Sequence, residues 1–174
     1  VPVLASLTTI SDSQVVGVYT PPDRPAGRGR QPQASPIKEY ALEHDLPIFQ
    51  PNNFRSEEVQ DELAELKPDA IVVAAYGKLL PKPVLDVAPL GCLNIHPSIL
   101  PRYRGPSPVA TCPLNGDLIT GVTIMLLDEG MDTGPLIAQH EFFLKGNETA
   151  DGLTTELFKL GGELLQESLP QWQS

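Results

Sequence analysis

The sequence predicts an α/β protein, a three-layer sandwich built around a mostly parallel sheet, and three observations carry that expectation. Short β-rich apolar runs alternate with amphipathic stretches along most of the chain, the pattern that layers helices on a sheet. The run DAIVVAAY at 69–76 is continuously apolar instead of alternating, as in a strand covered on both faces of a parallel sheet. Nineteen prolines fall mainly between these runs and mark the loops.

The elements follow in order. Val3 to Ile10, VLASLTTI, has enough β-branched residues to form a strand. Residues 14–20, ending in VVGVYT, read as a buried strand that stops at Pro21-Pro22, since proline cannot continue a central strand. Residues 21–34 are then loop. Ser35 and Pro36 mark a helix start, serine as N-cap and proline at the first helical position, and the helix ends before Pro47. A short strand is expected around Ile48. Ser56 with Glu57 and Glu58, then Val59, Leu63 and Leu66 at helical spacing, describes an amphipathic helix ending before Pro68. After the 69–76 strand come a short helix in LPKPVLDVA, a strand in GCLNIH, a helix in PSPVATCPLNG interrupted by Pro113, and strands in GVTIMLLD and LIAQHEFFL. Glu148 to Leu169 is the last helix, with Leu153, Leu157, Leu160, Leu164 and Leu165 on one stripe.

At 174 residues the chain fits a single domain spanning 1–174. Its 41% apolar and 20% charged content is that of an ordinary globular protein. No apolar run approaches a membrane span and no secretion signal stands out. The formal net charge of −10 repels phosphate backbones unless basic residues are concentrated locally. Cys92 and Cys112 lack CxxC spacing, so neither a disulfide scaffold nor a Cys-rich zinc site is indicated, and a cytoplasmic location is expected.

The richest stretch for chemistry is LGCLNIHPSILPRYRG at 91–105, followed after a strand by DEGMDTGP at 128–135. Asn94 and His96 are two apart in a β-like run, so their side chains leave the same face. Asp132 lies in a Gly-containing loop that could return to them. An amide, an imidazole and a carboxylate suit acyl transfer to an amine: the amide donates to a developing oxyanion, the imidazole carries a proton, and the carboxylate tunes the imidazole or accepts the amine's proton. Each also has a plain structural role: Asn94 capping a turn, His96 satisfied in the core, Asp132 ordering its own loop. Asp128 and Glu129 read as solvated turn charges.

The strings NIHPSILPRYRGPSP, GVTIMLLDEGMDTGP and PPDRPAGRGRQPQASPIK together resemble the methionyl-tRNA formyltransferases, from Val1 to about Gln171. The resemblance implies a Rossmann-like doubly wound sheet and makes Asn94, His96 and Asp132 a catalytic trio using N-10-formyltetrahydrofolate. It places the folate pocket at residues 74–81, at Ile99 to Arg102 and at the loop from Asp128 to Asp132, with Tyr76, Gly77, Leu80, Ile99, Leu100, Pro101, Arg102 and Asp128 as its binding residues. The loop PDRPAGRGR, with Arg24, Arg28 and Arg30, resembles one set beside the tRNA acceptor stem, and Arg28 is the expected RNA contact, a weak one on so acidic a chain.

The same resemblance implies a strand and a Gly-Thr-Pro turn before VPVLASL, which it makes a helix, and a β-rich tRNA-binding domain after residue 174. The missing first family strand would lie inside the sheet. Without it, neighbouring strands lose backbone partners, at roughly 1–3 kcal/mol for each buried unpaired group. Two compensations are expected: recruitment of VLASLTTI as a replacement strand, or a homodimer that shares sheet edges or exchanges terminal segments. Two other functions remain open. Cys92, His96 and Asp132 are plausible ligands by type for zinc or another divalent metal, joined by His44 or His140, which would make the chain a metal-dependent ester or phosphoester hydrolase. An inactive form that only binds folate or RNA is the other.

Overall fold

The structure, a computed structural model, describes residues 1–11, 13–26, 31–77 and 79–172. Its elements are α1 (Pro2–Leu7), β1 (Val18–Tyr19), β2 (Arg24–Ala26), β3 (Gln31–Gln33), α2 (Pro36–Glu43), β4 (Ile48–Phe49), α3 (Glu57–Glu65), β5 (Ile71–Ala74), α4 (Lys82–Leu85), β6 (Cys92–His96), α5 (Pro108–Leu114), β7 (Ile119–Leu126), β8 (Leu136–Phe143) and α6 (Ala150–Trp172). The Ser35 hydroxyl accepts from the Lys38 N–H and the Ser56 hydroxyl from the Val59 N–H, each at 3.3 Å. Both N-caps therefore sit where the sequence puts them.

Helices lie on both faces of the strands, which gives the expected three-layer α/β architecture. The strands form two separate main sheets. β1 pairs in parallel with β4, and a four-stranded sheet runs in the order β5-β6-β7-β8. The β5–β6 pair is parallel, and the sheet turns antiparallel at β6–β7 and β7–β8. The long helix α6 covers one face: Leu93, Ile95, Val122 and Ile124 pack against Leu164, Leu165 and Leu169. Gly161 permits the close approach, because a Cβ there would lie 2.5 Å from the Ile95 side chain. On the same side α1 and α2 close over β1, with Leu4, Val18 and Ala41 in contact. Opposite them, Leu66 at the end of α3 approaches Gly17, and the Cys92 thiol reaches the Val84 carbonyl of α4 at 3.7 Å.

Three expectations are corrected. Residues 3–7 of the proposed replacement strand are helical: Pro2 opens α1, Val3 and Leu4 are buried, and Ser6 lies close to Gly162 of α6. A proline at the first helical position and one apolar stripe outweigh the β-branched content. Strand β5, expected to be covered on both faces, is half-buried over Ile71–Val73 and exposed at Ala74, because among the described residues it pairs with β6 alone. Residues 21–34, expected as loop throughout, contain the antiparallel pair β2–β3, with Arg24 opposite Gln33. Arg28 and Arg30, between those strands, lie outside the described residues. No helix among the described residues is long and apolar enough to cross a membrane.

Candidate active site

Strand β6 positions the site by alternation. Leu93 and Ile95 point to the α6 core at 1% exposure each, so Cys92, Asn94 and His96 leave the opposite face. Asn94 is held between Val73 of β5 and Met125 of β7, and His96 ends the strand opposite Thr123. Asp132 comes from the β7–β8 connection with a left-handed φ of 51°. Gly134 allows that connection to fold back, since a Cβ there would stand 1.9 Å from the Leu126 carbonyl oxygen. Asp128 closes the loop by accepting from the Gly130 N–H at 3.0 Å and the Thr133 hydroxyl at 2.8 Å.

The three side chains named from the sequence meet. Asp132 Oδ1 lies 3.5 Å from Asn94 Nδ2, and Asp132 Oδ2 lies 3.6 Å from His96 Nδ1. Both His96 and Asp132 are well buried, with side chains 5% and 12% exposed. Asp132 Oδ2 also accepts the Gly105 N–H at 2.8 Å. His96 Nε2 is 2.9 Å from the Tyr103 carbonyl oxygen. A carbonyl only accepts, so Nε2 carries a proton and Nδ1 is the nitrogen turned toward Asp132.

The 97–105 loop that supplies these backbone groups is pinned from below. Thr123, fully buried, donates to the Ser98 carbonyl at 2.6 Å and accepts from the Leu100 N–H at 3.1 Å. Gln139 donates to the Leu100 carbonyl at 2.8 Å and to the Thr123 hydroxyl at 2.9 Å. The peptide between Leu100 and Pro101 is cis, and Tyr103 adopts a left-handed φ of 58°. A non-glycine residue held there costs on the order of 1–3 kcal/mol and persists where its surroundings fix it.

A cleft of about 510 Å³ lies at the start of β6, walled by Leu85 and Asp86 near α4, Gly91 before β6, Leu126 and Leu127 at the end of β7, and Asp128; Asn94, His96 and Asp132 are not in its wall. Its size is that of a small-molecule site. Among the described residues expected to bind a cofactor, Asp128 is the one in its wall. Leu100 is 3% exposed and turned into the core, and the Ile99 side chain packs on Gly121. Pro101 is exposed, while the Arg102 guanidinium binds Asp117 at 2.9 Å. Tyr76 meets Phe54 edge-on at 5.7 Å between ring centres, Gly77 is left-handed with φ 70°, and Leu80 is half-buried.

The alternative metal set does not assemble. Cys92 and His96 share a face of β6 but stand about 13 Å apart along it, too far to bind one ion with bonds of roughly 2.0–2.3 Å. Burial pushes the Cys92 thiol up to about 11, which opposes the thiolate that a metal needs. His44 is stacked on Tyr40 with ring centres 3.9 Å apart, and His140 bonds the Glu141 carbonyl at 2.9 Å. Among the described residues, no group of three or more His, Cys, Asp or Glu side chains is placed to hold a metal.

Asn94, His96 and Asp132 thus bring together an amide, an imidazole and a carboxylate, a set chemically suited to group transfer. Residues 3–169 match the formyl transferase family, and the chain belongs to that family. It is 54% identical over 158 residues to a methionyl-tRNA formyltransferase of Chloroflexus aggregans, a match covering 91% of this chain and 51% of that protein. A second methionyl-tRNA formyltransferase, from Idiomarina loihiensis, is 52% identical over 156 residues, covering 90% and 49%. The chain thus spans about half the length of the curated relatives it matches. A solved phosphoribosylglycinamide formyltransferase from Bacillus halodurans aligns with a TM-score of 0.78 at 27% identity, over 99% of this chain and 88% of that one.

Proposed function

We propose that this chain catalyses formyl transfer from N-10-formyltetrahydrofolate to the amino group of methionyl-tRNA. The observation that carries the proposal is the meeting of Asn94, His96 and Asp132 on one face of β6. The folate cosubstrate supplies the one-carbon group, and the cleft beside Asp128 has the size and the mixed apolar and polar wall to receive a small ligand.

The chain's residues then divide the work. As the amine nitrogen bonds to the formyl carbon, negative charge develops on the formyl oxygen, and the Asn94 amide donates to it. His96 holds or passes a proton at Nδ1, the nitrogen not committed to the Tyr103 carbonyl. Asp132 orients that ring and accepts, directly or through water, the proton shed by the amine, and one proton returns from the His96–Asp132 pair or that water to the folate nitrogen as its bond to the formyl carbon breaks. Burial of His96 and Asp132 strengthens each of these interactions relative to water.

The tRNA contact in this proposal is Arg28, flanked in sequence by β2 and β3, and it is weak given the net charge of −10. A cytoplasmic location suits two buried free cysteines. Homodimerisation along the open edges of β1 and β5 completes the proposal, and sedimentation velocity reads it directly. The test of function is formyl transfer by the whole protein, supplied with both substrates, with and without a chelator. Transfer should survive the chelator and fall by about a hundredfold or more in Asn94→Ala, His96→Ala and Asp132→Ala, each of which should remain folded by circular dichroism. Full activity in any of the three sinks the assignment.

A further inference from the structure

The imidazole of His96 and the carboxylate of Asp132 rest on the same backbone turn. The Tyr103 carbonyl receives His96 Nε2–H at 2.9 Å, and two residues later the Gly105 N–H binds Asp132 Oδ2 at 2.8 Å. Both turn residues are left-handed, with φ of 58° at Tyr103 and 93° at Gly105. Glycine takes that conformation freely, whereas tyrosine has to be held in it. The Tyr103 side chain shows what holds it. Its hydroxyl donates to Asp117 Oδ2, and Asn115 Nδ2 lies 3.3 Å from the same hydroxyl. Arg102 Nη2 is 2.9 Å from each Asp117 oxygen. The Tyr103 hydroxyl, then the Arg102 guanidinium, hold the Asp117 carboxyl below the usual carboxylate range.

We infer that Asp117 is a positioning residue for the formyl-transfer site: by gripping the Tyr103 hydroxyl it sets the carbonyl that orients His96 and the Gly105 N–H that steadies Asp132. The inference rests on the function proposed above and deepens it. Asp117 lies between α5 and β7 and reaches the imidazole through Tyr103. A merely structural latch would lower the melting temperature when cut and leave the His96 ring unchanged.

Nitrogen-labelled histidine NMR on the whole protein separates the two, with His96→Gln identifying the His96 signal by its disappearance. In the wild type the Nε2–H of His96 should give a slowly exchanging signal. In Asp117→Asn and in Tyr103→Phe that signal should broaden or vanish. In the same variants kcat should fall by about ten- to a hundredfold, the usual consequence of misplaced catalytic groups, while the KM for methionyl-tRNA stays within about twofold. The double variant should be no slower than the slower single one, because both changes cut one connection.

An unchanged His96 signal with unchanged kcat in both single variants overturns the latch, while loss of transfer in His96→Gln leaves the proposed function standing. A wild type that transfers no formyl group, or a fully active His96→Gln, overturns the function and the latch with it. If Asp117→Asn does not fold, Tyr103→Phe, which keeps the ring and the backbone, decides the matter.

Discussion

The two halves of this molecule are built differently. Strands β5 to β8 form one sheet on which the 23-residue helix α6 lies, and Leu93, Ile95, Val122, Ile124 and Leu165 in its core are essentially inaccessible. The half containing β1 and β4 has strands of two residues each and a buried cluster of Leu4, Val18 and Ala41. Aromatic contacts supplement it: Tyr19 stacks on Phe49 at 4.8 Å, Phe54 tilts on Tyr19 at 5.3 Å, and Tyr76 of the other half meets Phe54. The candidate trio sits entirely on the dense half. Groups that must hold a fixed geometry are best carried where neighbouring side chains leave no alternative rotamer, and the looser half is free to serve approach and contact.

The largest expected effect tests the packing difference itself. Leu165→Ala removes a fully buried side chain from the α6 seam and should cost about 2–5 kcal/mol. Ile48→Ala, in a half-buried two-residue strand, should cost less than about 2 kcal/mol. Urea unfolding of the whole protein measures both. Equal costs would break the comparison. Next comes the division of labour. Asn94→Ala should lower kcat by about 10²–10³, or roughly 2.7–4 kcal/mol of transition-state stabilisation. Arg28→Ala should raise the KM for methionyl-tRNA and leave kcat alone. Steady-state kinetics at two salt concentrations separate them, because a phosphate contact weakens as salt rises.

A third effect belongs to the dense half alone. Burial raises the Cys92 thiol from 9.0 to about 11, so between those values the folded chain keeps a proton that the unfolded chain releases. Stability therefore falls as pH rises from 9 to 11. A rise from 9 to about 11 corresponds to roughly 2–3 kcal/mol. Cys92→Ala should lack that part of the alkaline decline, seen as a shallower dependence of the urea midpoint on pH. Identical slopes would mean that the strand opens to solvent before the thiol ionises.

What was legible in the sequence follows the same division. The N-caps at Ser35 and Ser56 and the alternation through GCLNIH are local signals, and they placed α2, α3 and the shared face of Asn94 and His96. The return of Asp132 to that face was legible as a Gly-containing loop, without its distances. Strand direction was not legible, since a periodic run has no sign; the antiparallel turn at β7 and β8 is set by tertiary pairing. The β2–β3 pair was hidden because proline and glycine in PDRPAGRGRQPQ read as loop. The Tyr103 carbonyl and the Gly105 N–H were hidden for a deeper reason. Every residue carries such groups, so their use at His96 and Asp132 leaves no mark on composition or spacing. Asp117 drew no reading from the sequence, because its grip on Tyr103 spans 14 positions.

The smallest expected effect compares two caps within the looser half. Ser35 and Ser56 each cap a helix at 3.3 Å, a role in which alanine costs about 1 kcal/mol. They differ in what else they touch. The Ser35 hydroxyl is also 2.9 Å from the Thr20 hydroxyl at the end of β1, in a partly buried contact, whereas the Ser56 cap is exposed. Ser35→Ala therefore leaves Thr20, at 5% exposure, without that partner and should cost nearer 2 kcal/mol, against nearer 0.5 for Ser56→Ala, within the range for lost caps. Thr20→Val combined with Ser35→Ala tests the cause: if the orphaned hydroxyl accounts for the difference, the double variant should recover most of it in urea unfolding. If it recovers nothing, the difference between the caps lies in the helices and not in the tie from α2 to β1.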